Sequence, residues 1–205
     1  VVDGAMAHLD GRAARRKEDL APVDEGAVYP GTEEEHEHGI AAAEIERIGQ
    51  LAGTGKAADA AAKSIRERMG ALQKRFGSRP PVRVFYEIWN QPLTTVGGRQ
   101  IISSVIRMCG GENVFGSLAA MAPAVTLESV LAANPEAIIA SGMGEARPEW
   151  LDEWKLRAGL LATQRQNLFF IPSGLGDRRA PRSLAAGQQL CRHLETARSR
   201  RPPGK

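Results

Sequence analysis

Aromatic residues are scarce in this 205-residue chain, at 5% of the total. No apolar run reaches the roughly 18 residues that a membrane-crossing helix requires. Charge is close to balanced, with 27 Lys and Arg against 24 Asp and Glu. The basic residues form no single stripe, so composition makes no case for nucleic acid as a partner. The opening residues, VVDGAMAHLDGRAARRKEDL, contain no apolar stretch of the secretory-signal kind. Taken alone, that predicts a cytosolic chain.

Catalytic signatures are missing as well. There is no G-x-S-x-G elbow, no H-E-x-x-H, no C-x-x-C, and no G-x-G-x-x-G following a strand. Glu87 and Asp177 are available acids, but no sequence neighbour makes a pair with either. His193 sits beside a core position of the last helical pattern and reads as a packed or surface histidine rather than a base. These absences predict a protein that is not an enzyme. Cysteine is limited to Cys109 and Cys191. Composition alone favours two buried thiols, because a disulfide requires an oxidising compartment.

What is present begins after residue 38. Residues 1–38 carry few large apolar side chains and no useful period, and are expected to be irregular. His36 and His38 lie there among Glu33, Glu34, Glu35 and Glu37. Imidazole and carboxylate are both metal ligands, but no second His or Cys cluster completes a shell, so the segment reads as a solvated acidic loop and no metal site is expected. From Ile45 the pattern turns helical, and Ala58, Ala62, Ile65, Met69, Leu72 and Phe76 predict an amphipathic helix of about five turns. Gly77 stops it and Pro80-Pro81 forbids its continuation. The GTGK at Gly53 to Lys56 is not a phosphate loop: Gln50 replaces the first glycine, Ala57 replaces the magnesium-holding Ser or Thr, and a helix precedes it.

Val82 to Trp89 predicts a strand apolar on both faces, as in a buried parallel sheet. Asn90-Gln91-Pro92 breaks it. A helix follows with Ile101, Ile102, Val105, Ile106 and Cys109 on one face, stopped by Gly110-Gly111. Thr126 is placed to cap a short helix with Glu128 in its first turn, where a carboxylate suits the helix dipole. Glu136 to Ser141 and Leu168 to Ile171 predict two more strands. A helical piece lies between them around Trp150 and Trp154, and the last helix covers Ser183 to Ala197. Strands alternating with helices predict an α/β fold with a parallel sheet whose ligands bind at the C-terminal ends of the strands. Those ends are Trp89 to Leu93, Ser141 to Met143, and Pro172 to Arg182. Trp89 at a strand mouth could line a pocket or fill a core. Arg178, Arg179 and Arg182 could hold a phosphate or an amide-rich ligand, or pair within their own loop.

The run VFYEIWNQPL, the helix ending in CGGENVF, then VTLESVLAANPEAIIASG, the D-x-R-x-P-R loop and AAGQQLC together resemble the periplasmic substrate-binding proteins that deliver cobalamin to an ABC importer. The resemblance runs from Ile45 to Ala197. It implies two Rossmann-like α/β lobes joined by a long backbone helix, with a corrinoid clamped between them. Residues 39–78 then correspond to a helical segment with the end of that backbone helix and 80–198 to the C-terminal lobe; residues 199–205, outside the resemblance, read from their composition as a disordered basic tail whose charge is solvated. An N-terminal lobe has no counterpart in residues 1–38, which predicts a truncated or misread start. The resemblance implies that Cys109 and Cys191 form a disulfide and that Glu128 docks onto the permease subunits. It also implies that Trp89, Pro92, Leu93, Thr94 and Arg178 contact cobalamin or a related corrinoid, with no cofactor beyond that ligand. It places the protein in the periplasm as a monomer. Ala122 and Thr94 stand where some members carry aromatic residues. A siderophore or haem receptor of the same class, and an α/β enzyme acting through the arginine loop, are the alternatives.

Overall fold

Small residues every three or four positions let a helix press closely against its neighbour, and the first long element is built this way. Helix α1 (Gly55–Phe76) buries Ala58, Ala62 and Phe76 and leans Met69 and Leu72 on the main core. The computed structural model describes residues 45–141, 146–172 and 180–202, with side chains in the last stretch from 184 onward. Residues 45–51 are helical ahead of α1, so the GTGK stretch is a helix–helix turn. Arg66 grips Glu46 across that turn through two hydrogen bonds of 2.7 and 2.9 Å. Gly77 closes α1, its N–H donating to the Gln73 carbonyl at 2.8 Å.

Strand β1 (Val82–Asn90) is the centre of a five-stranded sheet. Its period-two alternation sends Val82, Val84 and Tyr86 into one core and Phe85 into the other. On one edge β1 pairs in parallel with β4 (Ala137–Ser141), which pairs in parallel with β5 (Leu168–Ile171). Its other edge is divided. Residues 82–84 pair in parallel with β3 (Gly111–Asn113), and the end of the strand pairs antiparallel with β2 (Leu93–Thr95). The expected parallel sheet is thus present, with one antiparallel strand added. Asn90-Gln91-Pro92 does not merely break β1; it turns the chain into a hairpin in which Asn90 faces Leu93.

Helices cover both faces. On one side α1, α2 (Ile101–Met108) and α5 (Ala180–Ser199) enclose the larger core. On the other, α3 (Leu127–Ala133), α4 (Leu161–Gln164) and a 3-10 helix (Glu149–Leu156) cover the second. The helical piece expected around Trp150 and Trp154 is that 3-10 helix, and the last helix is longer than its apolar pattern suggested. Thr126 caps α3 as expected, accepting from the Ser129 N–H at 3.2 Å. Gly110 adopts φ +68°, and a side chain there would strike the Phe76 carbonyl oxygen, so only glycine suits this helix stop.

The expectation of a disordered, solvated tail is corrected for residues 199–202, while 203–205 lie outside the described residues. Residues 199–202 are ordered against the lobe. Arg201 forks onto Glu136, with hydrogen bonds of 2.8 Å to each carboxylate oxygen, and Arg165 joins the same group at 2.7 Å. These two arginines hold the Glu136 carboxyl below its ordinary pKa against the opposing effect of burial. Arg200 donates to the Gln166 carbonyl at 2.6 Å. Charge near a terminus reads as solvated unless its partner is known, and here the partner lies 65 residues earlier.

Candidate functional site

The C-terminal end of β1 and the hairpin that follows carry most of the residues singled out from the sequence. Trp89 is 41% exposed, which removes it from the core. Its indole N–H donates to the Gln91 carbonyl at 2.8 Å, so the ring is held against the hairpin turn. Thr94 turns its hydroxyl back to the Pro92 carbonyl at 2.8 Å. Leu93 is half-buried and packs on the second core. Beneath them the Thr95 hydroxyl, fully buried, donates to the Tyr86 carbonyl at 2.7 Å and ties β2 down.

The segment before α3 is laced to the same hairpin. The Thr95 N–H donates to the Pro123 carbonyl at 3.0 Å and the Val125 N–H to the Leu93 carbonyl at 2.9 Å. Gly97 makes room for this segment: a side chain on it would collide with the carbonyl oxygens of Ala120 and Leu118. Trp89, Pro92, Leu93 and Thr94 therefore share one hairpin with the Ala122-Pro123 stretch alongside. Glu128 stands at the far end of that stretch, exposed on the first turn of α3. Its own backbone N–H and the Thr126 hydroxyl hold its carboxyl below the ordinary range, so it is ionised at neutral pH. Arg178, Arg179 and Asp177 lie outside the described residues, as does the Arg182 side chain.

Cys109, at the end of α2, and Cys191, on α5, form a disulfide with their Cα atoms 4.7 Å apart. The compositional expectation of two free thiols is wrong, and the pairing implied by family resemblance is the one found. Among the described residues no group of His, Cys, Asp and Glu is arranged to hold a metal ion. His36 and His38 lie outside them. His193 is partly buried and its ring stacks on Phe169 at 4.5 Å, with burial lowering its pKa, so the packed reading fits.

One pair escaped the sequence reading. Glu87 has no partner nearby in sequence, yet in the fold it is 1% exposed and accepts a 2.8 Å hydrogen bond from the indole N–H of Trp154. Burial pushes its carboxyl up to about 8, against the lowering effect of that bond, and the Glu153 charge adds to the rise. The shift favours the protonated carboxyl at neutral pH. The available signal was a single acidic residue inside a strand apolar on both faces. Beside it a cavity of about 170 Å³ opens between β1, β2, α3 and the 3-10 helix, with Trp150, Trp154 and Arg157 among its lining residues.

No protein-family profile matches the chain. A vitamin B12-binding protein of Vibrio parahaemolyticus is 31% identical over 157 residues, covering 77% of this chain and 56% of the relative. The chain spans about half the length of the curated relatives it matches. The crystal structure of the periplasmic vitamin B12 binding protein BtuF of Vibrio cholerae is similar with a TM-score of 0.69 at 27% identity, over 78% of this chain and 62% of that one. The periplasmic heme binding protein HutB of Vibrio cholerae aligns with a TM-score of 0.62 at 18% identity, over 73% of this chain and 60% of that one; this likeness concerns the fold alone.

Proposed function

We propose that this chain, a relative of the vitamin B12-binding proteins over about three quarters of its length, forms one wall of a corrinoid-binding cleft and serves the binding component of an ABC importer. The observation that carries the reading is the exposed Trp89 on a braced hairpin at the C-terminal end of the central strand. Ligands of parallel sheets bind at that edge, and a large flat ring there offers apolar area to a flat macrocycle. Pro92, Leu93 and Thr94 continue the wall. Arg178, outside the described residues, is the further contact that the resemblance implies. The binding role, rather than an enzymatic one, accords with the names of the relatives. A periplasmic location accords with the name of the BtuF structure and with the Cys109–Cys191 disulfide, since such bonds persist in oxidising compartments. The protein acts as a monomer, with the corrinoid as its cargo and no cofactor of its own.

Titrating cyanocobalamin into the chain while following the indole N–H resonances tests this. One wall buries only part of a ligand that tight pockets enclose far more completely. We expect weak, saturable binding on the order of 0.1 mM, about −5.5 kcal/mol. The Trp89 resonance moves, and Trp89→Ala weakens binding about tenfold. Haemin is the comparison, because a haem-binding protein shares the fold. Spectra moved by haemin and left unmoved by cyanocobalamin would replace this reading with the haem one.

Glu128 supplies the docking contact. It is exposed, ionised and held on a capped helix turn, which suits an arginine-bearing pocket on a permease. Glu128→Ala is expected to leave cyanocobalamin binding unchanged and to weaken association with the importer, measured by surface plasmon resonance, about tenfold. Equal association by both forms would remove Glu128 from the docking surface.

A further inference from the structure

The cavity beside Glu87 has a chemistry of its own. Its volume of about 170 Å³ admits a group of about five water-sized atoms. Glu87 lines it and is buried, with Oε2 taken by Trp154 and Oε1 without a hydrogen-bond partner among the described residues. A neutral carboxyl there presents one buried O–H donor, and an unmet buried donor costs about 1–3 kcal/mol. Asn90, Glu153 and Arg157 also line the cavity, and the indoles of Trp150 and Trp154 give it flat apolar area. Glu153 and Arg157 are the charged residues facing Glu87 there, and they are of opposite sign.

Three kinds of small polar group could enter. A carboxylate would accept from the Glu87 O–H and find Arg157, but it would set a negative charge beside Glu153 and bring no donor for it. An ammonium would bring no acceptor for the Glu87 O–H. A primary carboxamide supplies both: a carbonyl oxygen for the acid and two N–H groups for carboxylate or amide oxygens.

We propose that this cavity is a subsite for a primary carboxamide, with the Glu87 O–H donating to the carbonyl oxygen and Glu153 and Asn90 accepting from the NH2 group. The rim of a corrin ring carries such carboxamide arms. That the carboxamide is carried by a corrinoid rests on the function proposed above; the chemistry of the pocket does not.

The test is an NMR titration of the intact chain with propionamide, propionate and propylammonium, following the Trp154 indole N–H. Propionamide is expected to shift that resonance saturably at pH 6.5, with Kd on the order of 10 mM. Binding weakens at least fivefold at pH 9.5, because the carboxyl loses its proton as pH rises through about 8. Glu87→Gln retains an N–H donor, so it keeps binding at both pH values and loses the pH dependence. Equal or tighter binding of propionate or propylammonium would overturn the proposal, as would pH-independent propionamide binding in the unaltered chain or no shift at Trp154. Cyanocobalamin separates the two readings. A Trp154 response to propionamide but none to cyanocobalamin keeps the subsite and removes the corrinoid. A Trp89 response to cyanocobalamin with none at Trp154 to either compound keeps the corrinoid and removes the subsite.

Discussion

Replacing Cys109 and Cys191 together by Ser lowers the unfolding free energy by about 3–5 kcal/mol. The bond joins residues 82 apart in sequence. Closing a loop of that size restricts the unfolded chain far more than the folded one, and loop-closure entropy gives roughly this magnitude. It is a large share of the 5–15 kcal/mol that typical domains possess. The folded geometry need not change, because other contacts hold the same corner. Arg198 on α5 donates to the carbonyls of Cys109 at 2.8 Å and Gly110 at 2.6 Å, bridging the same two helices without the sulfurs. Equilibrium urea denaturation of the oxidised protein and of the double variant measures the difference. Either single substitution should cost about as much as the pair, since the bond is lost whole. Two titratable thiols in the folded, air-oxidised protein would show that the bond does not form, and no such loss would follow.

Phe85→Ala is expected to cost about 3–5 kcal/mol, the range for truncating a large aromatic in a packed core. Phe85 is fully buried on the face of β1 away from the disulfide core. Its ring meets Phe115 edge-on at 5.7 Å and Trp154 at 5.6 Å. The Trp154 indole therefore meets both the Phe85 ring and the Glu87 carboxyl. Removing the ring leaves a void beside the indole and admits water toward Glu87. Two readouts check this: the urea midpoint, and the Trp emission maximum, which should shift to longer wavelength in the folded state. A loss below about 1 kcal/mol with unchanged emission would mean that the 3-10 helix closes over the gap and that Phe85 does not position Trp154.

Much of the architecture was legible because it rests on local rules. Ala58, Ala62 and Phe76 recur at helical spacing and are the buried residues of α1. Val82 to Tyr86 is apolar on alternate faces and is covered on both. Thr126 caps α3 because a side-chain oxygen three residues before an unsatisfied N–H can reach it from the chain itself. The hairpin that follows β1 was only half legible. Trp89 to Thr94 were singled out, but Asn90-Gln91-Pro92 signals an interruption without saying whether the chain departs or returns. It returns because β3 pairs only with the first part of that edge of β1, which leaves the last residues free to take β2.

The sequence by itself determined the succession of strands and helices and the likeness to the vitamin B12-binding proteins, since each follows from residues close together in the chain. Tertiary structure alone decided what the charged and polar groups with distant partners do. Glu87 finds Trp154 67 residues later, and Arg201 finds Glu136 65 residues earlier. A carboxyl read as an unpaired acid became a buried acceptor of the Trp154 indole N–H, and residues 199–202, read as part of a solvated tail, became a clasp. The reason is that the energy of a charge depends on its surroundings in space, on desolvation and nearby dipoles and partners, and those surroundings exist only once the sheet has brought distant segments together.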